Sequence, residues 1–325
     1  MAKLKLAIYW AAGCGGCDVA ILDTKEKVLE IGQIADIVLW PIATDHKYEE
    51  IEKMADGAID VCLFNGGVRN SENEHLARLL RAKSKILVAF GACAHLGGIP
   101  GLVNLFTKEE VFNCVFRESQ SIDNPNEVFP KPQSSVPEGE LSIPEFYNTL
   151  LPLKAVVDVD YYLPGCSPAV PQVVAAIDAI VKGDLPPKGA VIGASEKTLC
   201  DECTRPKEDR KIKKFYRPHE IIFDNKQCFL DQGIICLGPA TRAGCGNPPR
   251  CTVLSNMPCR GCYGPAPKVH DQGAKFLSAL ASVIDSNDPA EINSIIAQIA
   301  DPVGTFYRFG LAASYLRRKR SNEKN

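Results

Sequence analysis

Cysteine is where the chemistry of this chain is concentrated. Of its 14 cysteines, eight fall between Cys200 and Cys262, a run bracketed by Cys200-Asp-Glu-Cys203 and Cys259-Arg-Gly-Cys262. A third Cys-x-x-Cys pair, Cys14-Gly-Gly-Cys17, ends the first apparent β-strand. Thiols at this density form disulfides, zinc sites or iron–sulfur clusters. The N-terminal residues run straight into an alternating strand, with no signal-peptide core, cleavage site or twin-arginine segment. A cytoplasmic protein is therefore expected. Thiols stay reduced there and disulfides are rare, so metal ligation is the expected use of the cysteines.

The elements that must position these thiols fall into two parts. A chain of 325 residues exceeds the size at which one core stops growing, so two domains are expected. With 46% apolar and 23% charged residues, the chain can bury a sizeable core and is not a disordered one. A net charge of -2 argues against nucleic acid as a partner. No stretch approaches the ~20 apolar residues of a membrane span. Only the tail, Arg317-Arg318-Lys319-Arg320, is basic, and it reads as a solvated end.

In the first half, β-branched runs at 4–10, 36–40, 59–64, 85–90 and 156–161 read as strands. Helical patterns at 19–31, 48–54, 72–82 and 169–181 alternate with them. That alternation predicts an α/β fold with a doubly wound parallel sheet. Between 119 and 152 the pattern dissolves into Pro-, Ser- and Asn-rich sequence, expected to be a lid, a docking surface or a disordered insert. After residue 185, Cys, Gly and Pro dominate until a helical pattern at 274–284. The expected units are 1–185 and a mostly irregular, Cys-rich 186–325.

Ligands of open α/β sheets bind at the carboxyl ends of strands. Cys14 and Cys17 follow the first strand, Cys93 the fourth and Cys166 the fifth, so these four thiols form one candidate ligand set. The second unit offers Cys200, Cys203, Cys228, Cys236, Cys245, Cys251, Cys259 and Cys262. Twelve thiols are enough for three 4Fe–4S cubes at four cysteines each. Gly13, Gly15, Gly16, Gly91, Gly97, Gly98 and Gly165 flank the first set, as loops pressed against inorganic sulfur require. Zinc in a Cys₄ site is the competing reading. Against it, the cysteines are twice what one zinc site needs, and the sheet-edge set lacks zinc-ribbon spacing. Cys62 and Cys114, inside apolar runs, are expected to be buried core residues.

These residues carry a resemblance. Trp10-Ala-Ala-Gly-Cys-Gly-Gly-Cys17, Gly91-Ala-Cys-Ala-His-Leu-Gly-Gly-Ile-Pro-Gly101 and Val159-Asp-Tyr-Tyr-Leu-Pro-Gly-Cys166 resemble the small, electron-transferring subunit of nickel–iron hydrogenases. Cys236-Leu-Gly-Pro-Ala-Thr241, Pro258-Cys-Arg-Gly-Cys-Tyr-Gly-Pro265 and Val303-Gly-Thr-Phe-Tyr307 extend the likeness across nearly the whole chain. The nearest type is the cytoplasmic methyl-viologen-reducing hydrogenase of methanogens, which works with heterodisulfide reductase.

The resemblance implies a flavodoxin-like first domain and three 4Fe–4S clusters. A proximal cluster would lie on Cys14, Cys17, Cys93 and Cys166, and a distal one on Cys200, Cys203, Cys228 and Cys236. A medial one would lie on Cys245, Cys259, Cys262 and, by inference, Cys251. Periplasmic members carry histidine at the position of Cys200 and a three-cysteine 3Fe–4S medial cluster. An extra thiolate lowers a cluster's potential, so three low-potential cubes are expected here.

On this reading no catalytic residue lies on this chain. Hydrogen is activated on a large partner subunit, and electrons pass to a small iron–sulfur adaptor and heterodisulfide reductase. His95 is either a hydrogen-bond donor near the proximal site or a structural histidine. Asp18 reads as a helix-start carboxylate, with a proton route as the alternative. Two rival functions are the cluster subunit of NADH–quinone oxidoreductases, which uses adjacent cysteines and a single cluster, and a zinc-binding interaction protein.

Overall fold

The structure, a computed structural model, describes residues 3–208 and 211–318; Lys319 and Arg320 of the basic tail lie outside them. Five strands form one parallel sheet: β1 (Leu4–Trp10), β2 (Ala35–Leu39), β3 (Ile59–Asn65), β4 (Ser84–Phe90) and β5 (Tyr161–Leu163), in the order 2-1-3-4-5. This is the flavodoxin order. The register sets Leu6 beside Val61, Val61 beside Ile86 and Val88 beside Tyr161.

Both faces of the sheet are covered, which is why its strands are nearly continuous apolar runs. Ala7, Tyr9, Cys62, Phe64, Leu87 and Ala89 pack against Leu76 and Leu80 of the helix Ser71–Lys83. On the other face Ile8, Val61, Leu63, Val88 and Phe90 meet Ile21, Val173 and Ala176. These come from the helices Gly16–Leu22 and Val170–Lys182. Cys62 is fully buried, as expected.

Several boundaries differ from the sequence reading. The 19–31 pattern is two helices, Gly16–Leu22 and Lys27–Ile34, broken where Lys25 takes a left-handed φ of 57°. The fifth strand begins where it was expected to end. Residues Leu153–Ala155 form a tight turn, with Val156 and Val157 both donating to the Leu153 carbonyl. The valines at 156, 157 and 159 pack on the core without joining the ladder.

Asp160 closes that gap. Its Oδ2 accepts from the Leu87 backbone N–H at 2.8 Å while its own N–H donates to the Leu87 carbonyl at 3.0 Å. Arg81 (2.5 Å) and Lys188 (2.6 Å) pair with the same buried carboxylate. Burial alone would raise its pKa, but Lys188, Arg81 and the Leu87 N–H outweigh it and hold the group below the usual carboxylate range. The contribution to stability is therefore complete above the ordinary carboxyl pKa and disappears as pH falls through the depressed one. Asp160→Asn is expected to lower stability by about 2–3 kcal/mol at pH 7. The gap from wild type should narrow only as pH falls below ~4, and equal melting temperatures at every pH would refute this role.

The 119–152 segment is more ordered than its composition implies. It contains a hairpin, Gln133–Val136 with Gly139–Ser142, and the strand Phe146–Leu151, which pairs antiparallel with Val68–Asn70. Asn104 locks that strand by exchanging hydrogen bonds with both backbone groups of Leu150 at 2.8 and 2.9 Å. Cys114, expected in a core, is exposed. It sits where the chain passes from the helix Lys108–Asn113 into a wider turn, Cys114–Glu118. Phe112 and Phe116 turn inward onto Phe146 and Phe129 and leave Cys114 on the opposite side.

Beyond residue 185 short turns alternate with loops until the helix Gln272–Val283, capped by Asp271 accepting from Ala274 N–H at 2.9 Å. Two further helices, Pro289–Ile296 and Pro302–Phe306, complete a core of Phe215, Leu237, Phe276, Leu280, Ile295 and Phe306. This part docks on the Cys93 loop, where Gly98 N–H donates to the Phe309 carbonyl at 3.1 Å. Among the described residues no helix is long and apolar enough to cross a membrane.

Candidate iron–sulfur centres

The carboxyl ends of β1, β4 and β5 converge on one small cavity lined by Cys14, Cys17, Cys93 and Cys166, with Asn65 and Gly66 from the end of β3. Gly15, left-handed at φ 78°, starts the helix at the Cys17 loop, and Gly16 N–H points at Cys14 Sγ from 3.4 Å. Gly91 N–H donates to the Leu163 carbonyl and Ala92 N–H to that of Gly165, both at 2.8 Å, so the Cys93 and Cys166 loops are tied together.

The loops leave no room for larger residues. A Cβ on Gly91 would lie 2.3 Å from Cys17 Sγ, and one on Gly98 would lie 2.5 Å from Cys93 Sγ. The thiols crowd one another. Burial pushes Cys17 far above its ordinary range, and the neighbouring Cys93, Cys166 and Cys14 push further. Cys93 is pushed up to about 12 by burial, then by Cys166 and Cys14. Raised thiols such as Cys17 and Cys93 become thiolates readily beside the positive charge of a metal centre, which deprotonates a coordinating thiol outright.

A second group comprises Cys200, Cys203, Cys228 and Cys236. Thr198 and Asp201 cap the short helix Leu199–Glu202 that presents the first pair. Burial raises Cys200 to about 12. Cys236, Cys228 and Cys203 add to the rise, and Lys207 opposes it. Here too glycine makes a cradle, since a Cβ on Gly238 would lie 2.9 Å from Cys200 Sγ and 3.7 Å from Cys236 Sγ.

The third group joins Cys245, Cys251, Cys259 and Cys262. Cys251 is exposed on the turn Arg250–Leu254, yet its thiol lies in the field of both Cys245 and Cys262. Beside it, Thr252 Oγ1 is buried with no protein partner. Gln272 holds the Cys259–Cys262 loop, its Nε2 donating to Thr241 Oγ1 (2.9 Å) and to the carbonyls of Gly261 (3.1 Å) and Gly264 (3.0 Å).

The three groups form a row. Cys262 feels both the charge and the backbone N–H of Cys166, which joins the third group to the first. Cys259 feels Cys236, and its N–H points at Cys236 Sγ from 3.3 Å, which joins the third group to the second. Among the described residues no three His, Cys, Asp or Glu side chains gather tightly enough to hold a single metal ion. The structure brings Cys14, Cys17, Cys93 and Cys166 around one cavity, sets Cys203, Cys228 and Cys236 about Cys200, and places Cys259 near both Cys236 and Cys262.

Asp18 is buried at the helix start, accepting from Trp40 Nε1 at 2.9 Å and Asn65 Nδ2 at 3.0 Å. His95 is buried against Tyr162, ring centroids 4.6 Å apart, with Nδ1 lacking a partner. Burial pushes its pKa down to about 3, with Lys154 and Arg242 adding to the effect, so it is neutral. Trp40, Asn65 and Gln272 carry no recognisable signal in the sequence, because their partners are remote in the chain.

The family described as NADH ubiquinone oxidoreductase, 20 Kd subunit, matches residues 14–180. The iron-sulfur subunit of the F420-non-reducing hydrogenase of Archaeoglobus profundus is 41% identical over 97% of this chain and 98% of its own length. The chain belongs to this hydrogenase subunit family. The matching F420-non-reducing hydrogenase subunit of Methanothermobacter thermautotrophicus is 36% identical over 99% of this chain and 98% of its own. A chain of NAD+-reducing [NiFe]-hydrogenase in the H2-reduced state is 31% identical, with a TM-score of 0.48 over 56% of this chain and 93% of that one. The resemblance drawn from the motifs therefore holds. This is a small, electron-transfer subunit of a hydrogenase of nickel–iron type, with hydrogen activated on a partner subunit. The kinship with the NADH–quinone oxidoreductase subunit extends over residues 14–180, which leaves the eight later cysteines outside it.

Proposed function

We propose that the twelve grouped cysteines hold three 4Fe–4S clusters in the order sheet edge, Cys245 group, Cys200 group. Cys14, Cys17, Cys93 and Cys166 would hold the proximal cluster. Cys245, Cys251, Cys259 and Cys262 would hold the medial one, and Cys200, Cys203, Cys228 and Cys236 the distal one. When bound, such clusters supply one-electron relay, here carrying reducing equivalents of hydrogen from the large subunit to an iron–sulfur adaptor and heterodisulfide reductase. We place this work in the cytoplasm and divide the chain into 1–185 for the proximal site and 186–325 for the other two.

The row carries this reading. Cys262 feels Cys166 and Cys259 feels Cys236, so neighbouring groups adjoin at one ligand each, as short-range electron transfer requires. The glycine cradles fit the group as well, because each missing Cβ leaves space where a metal centre must reach the sulfur. The chain itself contributes thiolate charge, backbone N–H groups at Cys14 and Cys236, and burial about Cys93, Cys236, Cys245 and Cys259. These are the levers by which protein sets cluster potential.

Anaerobically prepared heterodimer is expected to be brown and to contain about twelve irons and as much labile sulfide per chain. Colourless, zinc-loaded protein would overturn the cluster assignment. Recovery of the complex from anaerobic native extract tests the route, since an assembly lacking both adaptor and heterodisulfide reductase would remove that acceptor.

A further inference from the structure

Arg205 lies between the second and third thiol groups. It is buried, and its guanidinium donates to the Thr252 carbonyl (2.5 Å), the Gln227 carbonyl (2.8 Å) and Asn256 Oδ1. Gln227 immediately precedes Cys228 of the second group, and Thr252 immediately follows Cys251 of the third. The guanidinium also stacks on Phe229, 4.1 Å from the ring centroid. Pro206, the next residue, accepts from Cys228 N–H at 3.0 Å. One side chain therefore joins the Cys203, Cys228 and Cys251 loops.

Its acceptors set it apart from an ordinary structural arginine. All three are neutral carbonyl or amide oxygens, and none of the ion pairs among the described residues includes Arg205. The hydrogen bonds are satisfied, but the positive charge is not compensated. In a buried setting such a charge acts over several ångströms with little screening. The loops it clamps carry Cys228 of the second group and Cys251 of the third, whose thiolate sets are negatively charged when loaded.

We propose that Arg205 is a positioning residue with an electrostatic task, raising the reduction potentials of both the medial and the distal centre. Reduction makes a thiolate-bound cluster more negative, so a fixed cation stabilises the reduced state. It offsets the lowering that a fourth thiolate brings at each centre and keeps the two potentials in step. The inference rests on the ligand sets proposed above.

Asn256→Asp tests it, because the change places a carboxylate on the guanidinium with the side-chain shape preserved. Asn256 has φ 50°, a conformation that aspartate tolerates. Redox titration of the intact heterodimer followed by EPR, with iron analysis alongside, is the measurement. The reduction equilibrium of the medial and distal centres should each fall about tenfold, ~59 mV for a one-electron couple, with the proximal centre unmoved. Arg205→Lys, which keeps the charge, should retain both potentials, whereas Arg205→Gln should lower them. Full iron with unshifted midpoints in Asn256→Asp overturns the proposal. So does iron loss in all three variants with a normal proximal signal, which would make Arg205 a loop clamp alone. Absence of medial and distal signals from the wild type would instead refute the ligand sets.

Discussion

Gly91→Ala is expected to strip the sheet-edge thiols of iron while leaving the other eight loaded. Two independent effects combine at this position. The backbone is at φ 87° and ψ 167°, a region open essentially to glycine alone, and a side chain there costs about 1–3 kcal/mol. The added Cβ would also meet Cys17 Sγ at 2.3 Å, well inside van der Waals contact. Cys17 cannot retreat easily, since it packs with Ile8, Val61 and Phe90 on the buried face of the sheet. Nor can Gly91 move without breaking its bond to the Leu163 carbonyl.

The expected preparation has lost about four of twelve irons, shows no proximal EPR signal and no longer reduces dyes with hydrogen. Gly183→Ala supplies the control. Gly183 is also left-handed, at φ 69°, but nothing lies within 4 Å of its Cβ position. That chain meets only the backbone cost and should keep all its iron. Equal iron in the two variants would show that the 91 position is not a cradle.

What was legible in the sequence follows from how local each signal is. The first four strands of the sheet were readable because burial on both faces makes continuous apolar runs, and β1 to β4 fall within one or two residues of expectation. The fifth was misplaced because Asp160 substitutes a side-chain oxygen for a ladder carbonyl, which no periodicity records. Cys62 and Cys114 sit in equally apolar runs. The wider turn at 114–118 leaves one thiol exposed, whereas the strand at 59–65 buries the other in the core. The Cys-x-x-Cys pairs and their glycines were visible as spacing. The grouping of the eight later cysteines rested on family likeness, since Cys200 and Cys236 are brought together by loops with no periodic pattern. The residues that hold these loops were invisible. Gln272 acts on positions 241, 261 and 264, and Arg205 on 227, 252 and 256.

Cys251→Ala tests the grouping at the position that distinguishes this chain from a three-cysteine medial site. Cys251 is exposed and lies on an irregular turn, so removing its thiol empties no core cavity and the fold should be unaffected. Cys245 and Cys262 feel its charge, as a ligand of the proposed medial centre would require. With three thiolates left, that group is expected to retain three irons, about eleven per chain in place of twelve. A 3Fe–4S signal should appear in the oxidised protein. Loss of one thiolate removes negative charge, so the medial potential should rise by well over ~59 mV, more than tenfold in its reduction equilibrium. An electron arriving there is held more tightly than at either neighbour, and hydrogen-driven reduction of a low-potential acceptor should fall while the proximal signal stays normal. Cys114→Ala, an exposed thiol outside all three groups, should change none of these readouts. If the two variants proved indistinguishable in iron content and EPR, Cys251 would not be a ligand, and the medial centre of this chain would be a three-thiolate site.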